Sequence, residues 1–169
     1  MLKSDADLGR NMEVDVSIVE IKDSNKKSQF AEEILRRLPE WFGIEKALIE
    51  YVNCVASLPF WIALSRDGRC IGFISVKIHY GHTGDIYALG VLPEYHRRGI
   101  GRLLVAKAEE YLKNNNCKYI IVKTLSEMAE YEPYERTRKF YRSVGFEELI
   151  TLTEMWDSEN PCLIMIKKL

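Results

Sequence analysis

Apolar and polar residues follow two different periods along the N-terminal part of this chain. Residues 14–21 alternate between apolar and polar side chains, which is typical of a strand that is buried on one face. Residues 22–28 are charged and predict a turn. Apolar residues then recur at helical spacing along residues 29–38 and 44–55, and Pro39 ends the first of these helices. The pattern predicts one strand followed by two helices.

Three extended apolar runs come next. Residues 60–64 and 70–78 flank the pair Asp67-Gly68, and Asp-Gly between two such runs favours a hairpin. Residues 84–92 form the third run. The three runs together predict an antiparallel meander.

A helix and a parallel strand are predicted beyond the meander. An apolar stripe along residues 100–112 indicates the helix, and the asparagines at 114–116 are residues that tolerate the backbone of a helix end. Residues 119–122 read as a buried strand. A helical crossover of this kind places two strands parallel, with right-handed connectivity.

The C-terminal part predicts an aromatic-rich helix that Gly145 ends, followed by a closing pair of strands. These strands are residues 146–151 and 162–167, and a loop over residues 152–161 that carries Trp156 joins them. The sequence of elements predicts an α/β fold. We expect a mixed, mostly antiparallel sheet with helices on both faces.

Length and composition are those of one ordinary globular domain. The chain has 169 residues, of which 47% are hydrophobic and 29% are charged. We expect residues 1–12 to be a polar N-terminal segment and residues 13–169 to form the domain. A formal net charge of −1 argues against a nucleic-acid partner. Neither a spanning run of roughly 20 apolar residues nor a signal peptide is recognised, so we expect no membrane partner and a cytoplasmic location.

The cysteines and histidines do not suggest a metal site. No two cysteines form a Cys-x-x-Cys pair, and each lies in an apolar context, which predicts buried thiols in a reducing compartment. The histidines do not cluster with them. The residues concerned are Cys54, Cys70, Cys117, Cys162, His79, His82 and His96.

A basic turn with two glycines separates the third apolar run from the following helix. Gly99 and Gly101 would let a ligand approach the backbone without a Cβ in the way. The first amides of the helix and the positive end of its dipole favour an anion, and Arg97, Arg98 and Arg102 can add charge-assisted contacts. A solvated helix face would show the same arginines, so both interpretations remain open.

This turn resembles the pyrophosphate-binding motif of the GNAT (N-acetyltransferase) superfamily, Arg/Gln-x-x-Gly-x-Gly/Ala. Here residues 96–101 read His-Arg-Arg-Gly-Ile-Gly, with His96 at the position of the usual Arg or Gln. A second match is Phe-Tyr-Arg-Ser-Val-Gly-Phe at residues 140–146, which resembles the Tyr-x-x-x-Gly-Phe end of that family's aromatic helix. The resemblance covers about residues 58–169. It implies a single GNAT-like domain in which a parallel central strand pair splays apart.

The resemblance also implies where acetyl-CoA, the co-substrate, would bind. The turn would hold the diphosphate largely through backbone amides, and the preceding strand would hold the pantetheine arm like an added strand. Gly90 in that strand indicates a bulge or a close backbone approach, with a plain buried strand as the alternative. The predicted contacts are Leu89, Gly90, Val91, Arg97, Arg98, Gly99, Ile100, Gly101 and Arg102.

Two side chains are candidates for the chemistry. Acetyl transfer requires that the amine lose its proton and that the leaving thiolate gain one, while proximity removes the need for a covalent intermediate. The resemblance implies Tyr141 as the general acid beside the sulfur, with a core aromatic as the alternative. It implies Asp85 as the base, directly or through water, although an aspartate at a strand start is often a turn former.

Two positions depart from the family pattern, and the acceptor side is less informative. Tyr134 occupies the position of a usual asparagine, and Thr137 that of a usual alanine. Several aromatic residues lie in segments that line acceptor clefts in the resembled superfamily, or are plain core residues. They are Trp41, Phe42, Tyr51, Tyr80 and Trp156.

The function predicted from the sequence is an acetyl-CoA-dependent N-acetyltransferase that acts on an unidentified primary amine by direct transfer in a ternary complex. A non-catalytic acyl-CoA-binding or regulatory module is the alternative, and a nucleotide-binding protein that uses the same turn is a third hypothesis. Against the last, the turn has no following Gly-Lys-Ser/Thr, and Leu104 replaces the third glycine of a dinucleotide fingerprint. Homodimers are common in the resembled family, but nothing in the sequence demonstrates one.

Overall fold

A seven-stranded sheet in the order β1-β2-β3-β4-β5-β7-β6 organises the fold. The structure, a computed structural model, describes residues 15–169, so the polar segment predicted for residues 1–12 lies outside the described residues. The strands are β1 (Val16–Glu20), β2 (Phe60–Ser65), β3 (Cys70–His79), β4 (Thr83–Val91), β5 (Tyr119–Leu125), β6 (Glu147–Asp157) and β7 (Asn160–Lys168). The helices are α1 (Ser24–Leu35), α2 (Pro39–Phe42), α3 (Glu45–Val55), α4 (Ile100–Asn114) and α5 (Glu132–Ser143).

The predicted mixed, mostly antiparallel sheet is confirmed. β4 and β5 pair in parallel, and the neighbouring pairs on either side are antiparallel. The predicted Asp67-Gly68 hairpin joins β2 to β3, and Gly68 has a φ of 79°, which a side chain would disfavour. Within residues 15–169 no helix is long and apolar enough to cross a membrane.

Close approaches at two glycines show which helix covers which face of the sheet. A Cβ at Gly84 of β4 would lie 2.3 Å from the Leu112 side chain of α4. A Cβ at Gly90 of the same strand would lie 2.9 Å from Ile34 of α1. Because these contacts come from opposite sides of β4, α1 and α4 cover opposite faces.

The remaining long helices join this arrangement. α5 lies on the face of α4, since a Cβ at Gly101 would lie 2.9 Å from the Phe140 ring. α3 packs beside α1, where the Ser28 hydroxyl donates a 2.9 Å hydrogen bond to the Val52 carbonyl. The core therefore has helices on both faces, as predicted.

The parallel strands β4 and β5 part along their length. Their pairing runs from Thr83 with Tyr119 to Ile86 with Val122, although β4 continues to Val91 and β5 continues to Leu125. Beyond Ile86 the two strands therefore leave an opening in the sheet. This is the splayed central pair that the resemblance implied.

A β-bulge lies where the strands part. Ser75 of β3 pairs with Ala88 and Val76 pairs with Ile86, so Tyr87 is the extra residue in β4. A bulge increases local twist and bends its strand. The bulge interpretation of Gly90 was wrong, because Gly90 pairs regularly with Phe73 and instead provides the close approach of α1.

The start of α1 corrects one prediction. The charged residues 22–28 were expected to form a turn, yet α1 already begins at Ser24. The Asp23 side chain accepts a 2.8 Å hydrogen bond from the Lys26 amide and so caps the helix. Polar composition suggested a turn, but it reflects an exposed first helical turn.

The C-terminal hairpin corrects another prediction. The loop expected over residues 152–161 is mostly strand, because β6 extends to Asp157 and pairs there with Asn160 of β7. β6 is an edge strand and carries several apolar side chains that are exposed in the described chain. These are Leu149, Ile150, Met155 and Trp156.

Candidate active site

A cavity of about 750 Å³ opens where β4 and β5 part. It extends from the N-terminus of α4 to side chains of α2, α3, α5 and β6. Every residue predicted to contact the co-substrate lines it except Arg98. Tyr141 also lines it, whereas Asp85 does not.

The basic turn has the backbone geometry of an anion site. Arg97 and Gly99 both have left-handed backbones, with φ of 61° and 79°. The amides of residues 97–102 donate no hydrogen bond to any of the described residues, while the Leu103 amide is the first to close a helical turn, onto the Gly99 carbonyl at 3.1 Å. Free amides at a helix N-terminus, next to a left-handed turn, can bind a phosphate.

The two glycines of this turn have different surroundings. A Cβ at Gly99 would meet nothing within 4 Å, so its backbone is open to a ligand. Gly101 instead makes room for the Phe140 ring of α5. Gly101 also lines the cavity, and its missing Cβ serves the contact between the two helices.

The three arginines of the turn are also distinct. Arg97 and Arg102 line the cavity. The Arg98 guanidinium lies over the Tyr95 ring, 5.5 Å from its centroid, and is not on the cavity wall. A ligand contact from the Arg98 side chain is not supported by this geometry, although its amide remains in the turn.

His96 attaches the turn to the end of β4. Its Nε2 donates a 2.7 Å hydrogen bond to the Val91 carbonyl, and its ring meets the edge of Trp41 at 5.9 Å between centroids. The residue that departs from the family motif therefore positions the turn. Sequence reasoning had assigned it no contact.

The backbone of β4 presents polar groups to the cavity. The Leu92 amide donates to the Ile71 carbonyl at 2.9 Å, so Leu92 faces β3. Polar groups alternate along a strand, and the two amides of Leu89 and Val91 and the Leu89 carbonyl therefore point toward the opening beside β5, while the Val91 carbonyl already accepts from His96. These are the groups expected to bind an extended ligand arm.

Tyr141 lies at the cavity among aromatic rings. Its side chain is 5% exposed and packs against Phe140 and Phe146, with centroid separations of 5.3 and 5.5 Å. Burial raises the pKa of Tyr141 well above its ordinary value, and the fields of neighbouring groups add to this. The phenol therefore keeps its proton at neutral pH.

Thr124 was missed by the sequence reasoning. It is 3% exposed, lines the cavity, and has a buried Oγ1 with no hydrogen-bond partner among the described residues. An unpaired buried hydroxyl costs about 1–3 kcal/mol, which a bound polar ligand would offset. The available signal was a threonine two residues beyond Val122, at the alternate position that places it on the same face of the strand.

Asp85 lies behind the cavity wall. Its side chain is 2% exposed, and Oδ2 accepts hydrogen bonds from Lys123 Nζ at 2.6 Å and from His79 Nε2 at 2.8 Å. Lys123 does line the cavity. Asp85 can therefore exchange a proton with a substrate only through Lys123 or a water molecule.

The two helix positions that depart from the family pattern join α5 to α2. The Tyr134 hydroxyl donates to the Trp41 carbonyl at 3.1 Å, and Trp41 Nε1 donates to Thr137 Oγ1 at 2.9 Å. Burial raises the pKa of Tyr134 to about 12. These contacts hold α2 against α5 at the cavity, where an asparagine and an alanine could not form them.

Of the aromatic acceptor candidates, four line the cavity and one does not. Tyr80 is 95% exposed and lies elsewhere. Those on the wall are Trp41, Phe42, Tyr51 and Trp156, and Tyr87 of the bulge joins them.

The fold and the position of the cavity define a class of protein: an α/β domain whose central parallel strands part around its site. The profile of the Acetyltransferase (GNAT) family matches residues 21–146. The chain belongs to the GNAT acetyltransferase family.

Individual relatives agree with this assignment. The uncharacterized N-acetyltransferase MJ1530 of Methanocaldococcus jannaschii is 31% identical over 121 residues, which cover 70% of this chain and 68% of MJ1530. The structure of Ard1 from Thermoplasma volcanium superposes with a TM-score of 0.73 at 18% identity, covering 92% of this chain and 99% of that one. The structure of an aminoglycoside 6'-N-acetyltransferase complexed with coenzyme A has a TM-score of 0.71 at 20% identity, and the match covers 90% of this chain and 96% of that one.

Proposed function

We propose that this protein is an acetyl-CoA-dependent N-acetyltransferase that transfers the acetyl group directly to a primary amine in a ternary complex. One observation carries the proposal: a continuous cavity connects the free amides of the α4 turn with Tyr141. The coenzyme A bound to the aminoglycoside acetyltransferase of the same fold supports the choice of co-substrate.

Acetyl-CoA supplies the acetyl group as a thioester. In the proposed complex the amides of residues 97–102 bind the diphosphate, and Arg97 and Arg102 add charge to the same site. Leu89 and Val91 bind the extended arm through their backbone groups. The Thr124 hydroxyl gains a hydrogen-bond partner on that side of the opening.

Tyr141 and Asp85 have separate proton-transfer roles in this proposal. Tyr141 donates its proton to the sulfur as the carbon–sulfur bond breaks, and the acetyl group passes to the amine. Burial raises the pKa of Tyr141 and makes it a weaker acid than a free tyrosine, so the transfer depends on the phenol being held beside the sulfur in the cavity. Asp85 receives the amine proton through water or through Lys123, since its carboxylate does not reach the cavity.

Isothermal titration with acetyl-CoA tests the binding half, and thiol release in the presence of amines tests turnover. Tyr141→Phe should lower kcat about 100-fold or more without weakening the binding of acetyl-CoA, because only the proton donor is removed. Tyr80→Phe is the matched control, since it removes a hydroxyl from a ring that is 95% exposed. Absence of binding at sub-millimolar acetyl-CoA would refute the proposal. If acetyl-CoA binds but no amine gives thiol release, and Tyr141→Phe does not change the binding of acetyl-CoA, the non-catalytic acyl-CoA-binding module is favoured.

A further inference from the structure

The charges on the cavity wall are of one sign. Among residues 15–169, no aspartate or glutamate lines the cavity. A polycationic acceptor would leave several ammonium groups without carboxylate partners, and burying unpaired charges is costly. The wall instead carries cationic side chains, which are Arg97, Arg102, Lys123, Arg136 and Lys139.

Lys123 is set apart from the other cations. Arg97 and Arg102 flank the proposed diphosphate site on the α4 turn. Arg136 and Lys139 are exposed on α5 and pair with glutamates outside the cavity. Lys123 lies on β5, one residue beyond the last pair that β5 forms with β4.

Strand geometry places Lys123 on the acceptor side of the opening. Asp85 pairs in register with Ile121, two residues from Lys123, so Asp85 and Lys123 share one face of the sheet. Thr124 points to the opposite face, where α4 and α5 lie. Lys123 is therefore separated from the proposed thioester-binding side and faces the α3 side.

The Lys123 ammonium is held in place but is not saturated. A lysine has three N–H donors, and within the described residues one of them bonds to Asp85 Oδ2 at 2.6 Å. His79 bonds to the same oxygen at 2.8 Å and so fixes the carboxylate. The remaining donors of Lys123 are available to an acceptor atom in the cavity.

The wall beside Lys123 is aromatic, and one of its rings already holds a cation of the protein itself. Phe42, Tyr51 and Tyr87 form a continuous row, with ring centroids 5.5 and 5.2 Å apart. Lys77 Nζ already lies 4.1 Å from the centroid of Tyr87 and occupies its cation–π position. The row therefore suits an apolar or aromatic body.

We propose that the acceptor is an amino carboxylate with an apolar or aromatic body, such as a hydrophobic amino acid. Its carboxylate binds the Lys123 ammonium, and its body packs against the row of Phe42, Tyr51 and Tyr87. His79 is a positioning residue for Lys123, and Asp85, the proposed base, also holds Lys123 in place. This inference rests on the proposed function and narrows its substrate class.

A panel of related amines tests the inference with the wild-type protein. L-phenylalanine, L-phenylalaninamide and phenethylamine share one aromatic body, and only the first carries a carboxylate. Spermidine and kanamycin represent polycations. Values of kcat/KM are calculated from the concentration of the unprotonated amine. We expect kcat/KM to be about tenfold or more higher for L-phenylalanine than for its two analogues, which corresponds to the free energy of one charge-assisted hydrogen bond. The polycations should have the lowest kcat/KM.

Variants at position 123 test whether Lys123 causes the preference for the carboxylate over the amide. In Lys123→Met the preference for L-phenylalanine over its amide should fall about tenfold or more, mainly through KM, whereas Lys123→Arg should keep most of it. Because the ratio is taken within each variant, the different basicities of the two amines cancel. The double variant Asp85→Asn/Lys123→Met removes both charges of the pair, which covers the case that the single variant folds poorly. Because this variant also lacks the proposed base, its preference is measured as the ratio of the dissociation constants of the acid and the amide in the presence of coenzyme A, and this ratio should change by the same factor.

Three outcomes would overturn the inference. They are equal use of the acid and its amide, faster turnover of spermidine or kanamycin, and an unchanged preference in a folded Lys123→Met. A Lys123→Met enzyme whose preference is kept but whose pH profile shifts would make Lys123 a proton relay. Failure of the proposed function itself is separate, because it appears as absent acetyl-CoA binding in the titration.

Discussion

Gly99 and Gly101 belong to one short motif, yet different constraints select them. Gly99 has a left-handed backbone and open space around it, whereas Gly101 is helical and faces the Phe140 ring. A motif defined only by its glycines therefore combines a backbone requirement with a packing requirement. The two can be separated by measuring coupling to Phe140.

Replacing each glycine by alanine should change the free energy of unfolding in a way that depends on the Phe140 ring at Gly101 but not at Gly99. Gly101→Ala should cost about 1–3 kcal/mol in the free energy of unfolding, because its Cβ would lie 2.9 Å from Phe140. The cost should vanish in a Phe140→Leu background. Gly99→Ala should cost about 1–2 kcal/mol in both backgrounds, since its cost is the left-handed backbone. Urea unfolding of the double-mutant cycle measures both couplings, and equal coupling at the two sites would contradict the assignment.

At the scale of elements, the site exists because two strands separate. β4 and β5 are held together only at their first residues, and the bulge at Tyr87 lies where their pairing stops. α4 begins at the far end of β4, and α2 and α5 are joined across the opening through Trp41. The cavity is thus a property of the arrangement of elements rather than of any one of them.

Amide hydrogen exchange should detect this separation directly. In the free protein the amides of Leu89 and Val91 should exchange rapidly, because they point into the opening, and coenzyme A should protect them. The Leu92 amide is the internal control, since its 2.9 Å bond to Ile71 should protect it in both states. Protection of Leu89 and Val91 before any ligand is added would show that the strands do not part in solution.

At the scale of the whole molecule, buried phenols are a common feature of the cavity. Burial is the largest cause that raises the pKa values of four tyrosines above their ordinary value near 10. Folding therefore favours their neutral forms. The four are Tyr51, Tyr87, Tyr134 and Tyr141.

The unfolding free energy should consequently fall as pH rises above about 10. Below that pH both states hold the phenolic protons; above it the unfolded chain ionises first and binds fewer protons, so alkali favours unfolding. Each buried tyrosine contributes a slope of at most about 1.4 kcal/mol per pH unit. Urea unfolding between pH 9 and 11.5 should show a shallower decline for Tyr134→Phe. The exposed control Tyr80→Phe should keep the wild-type slope, and an identical slope for all three proteins would contradict this prediction.

Local patterns were sufficient for most elements of this fold. The strand meander, the helix after the basic turn and the aromatic helix all follow from periodicities of a few residues, which depend on neighbouring side chains. The two errors have different causes. The start of α1 depends on a local cap, which Asp23 forms with the Lys26 amide three residues along and which the charged composition concealed. The length of β6 depends on pairing with β7 and therefore on a neighbouring strand.

By itself the sequence determined the family, the order of elements and the residues of the turn, because these are encoded by short contiguous patterns. Only the tertiary structure decided that Asp85 is enclosed between Lys123 and His79, that Thr124 keeps an unpaired hydroxyl and that Gly101 serves Phe140. Each of these features depends on residues that are distant in the chain or lie on different strands. Their energies depend on burial and distance, which no local pattern specifies.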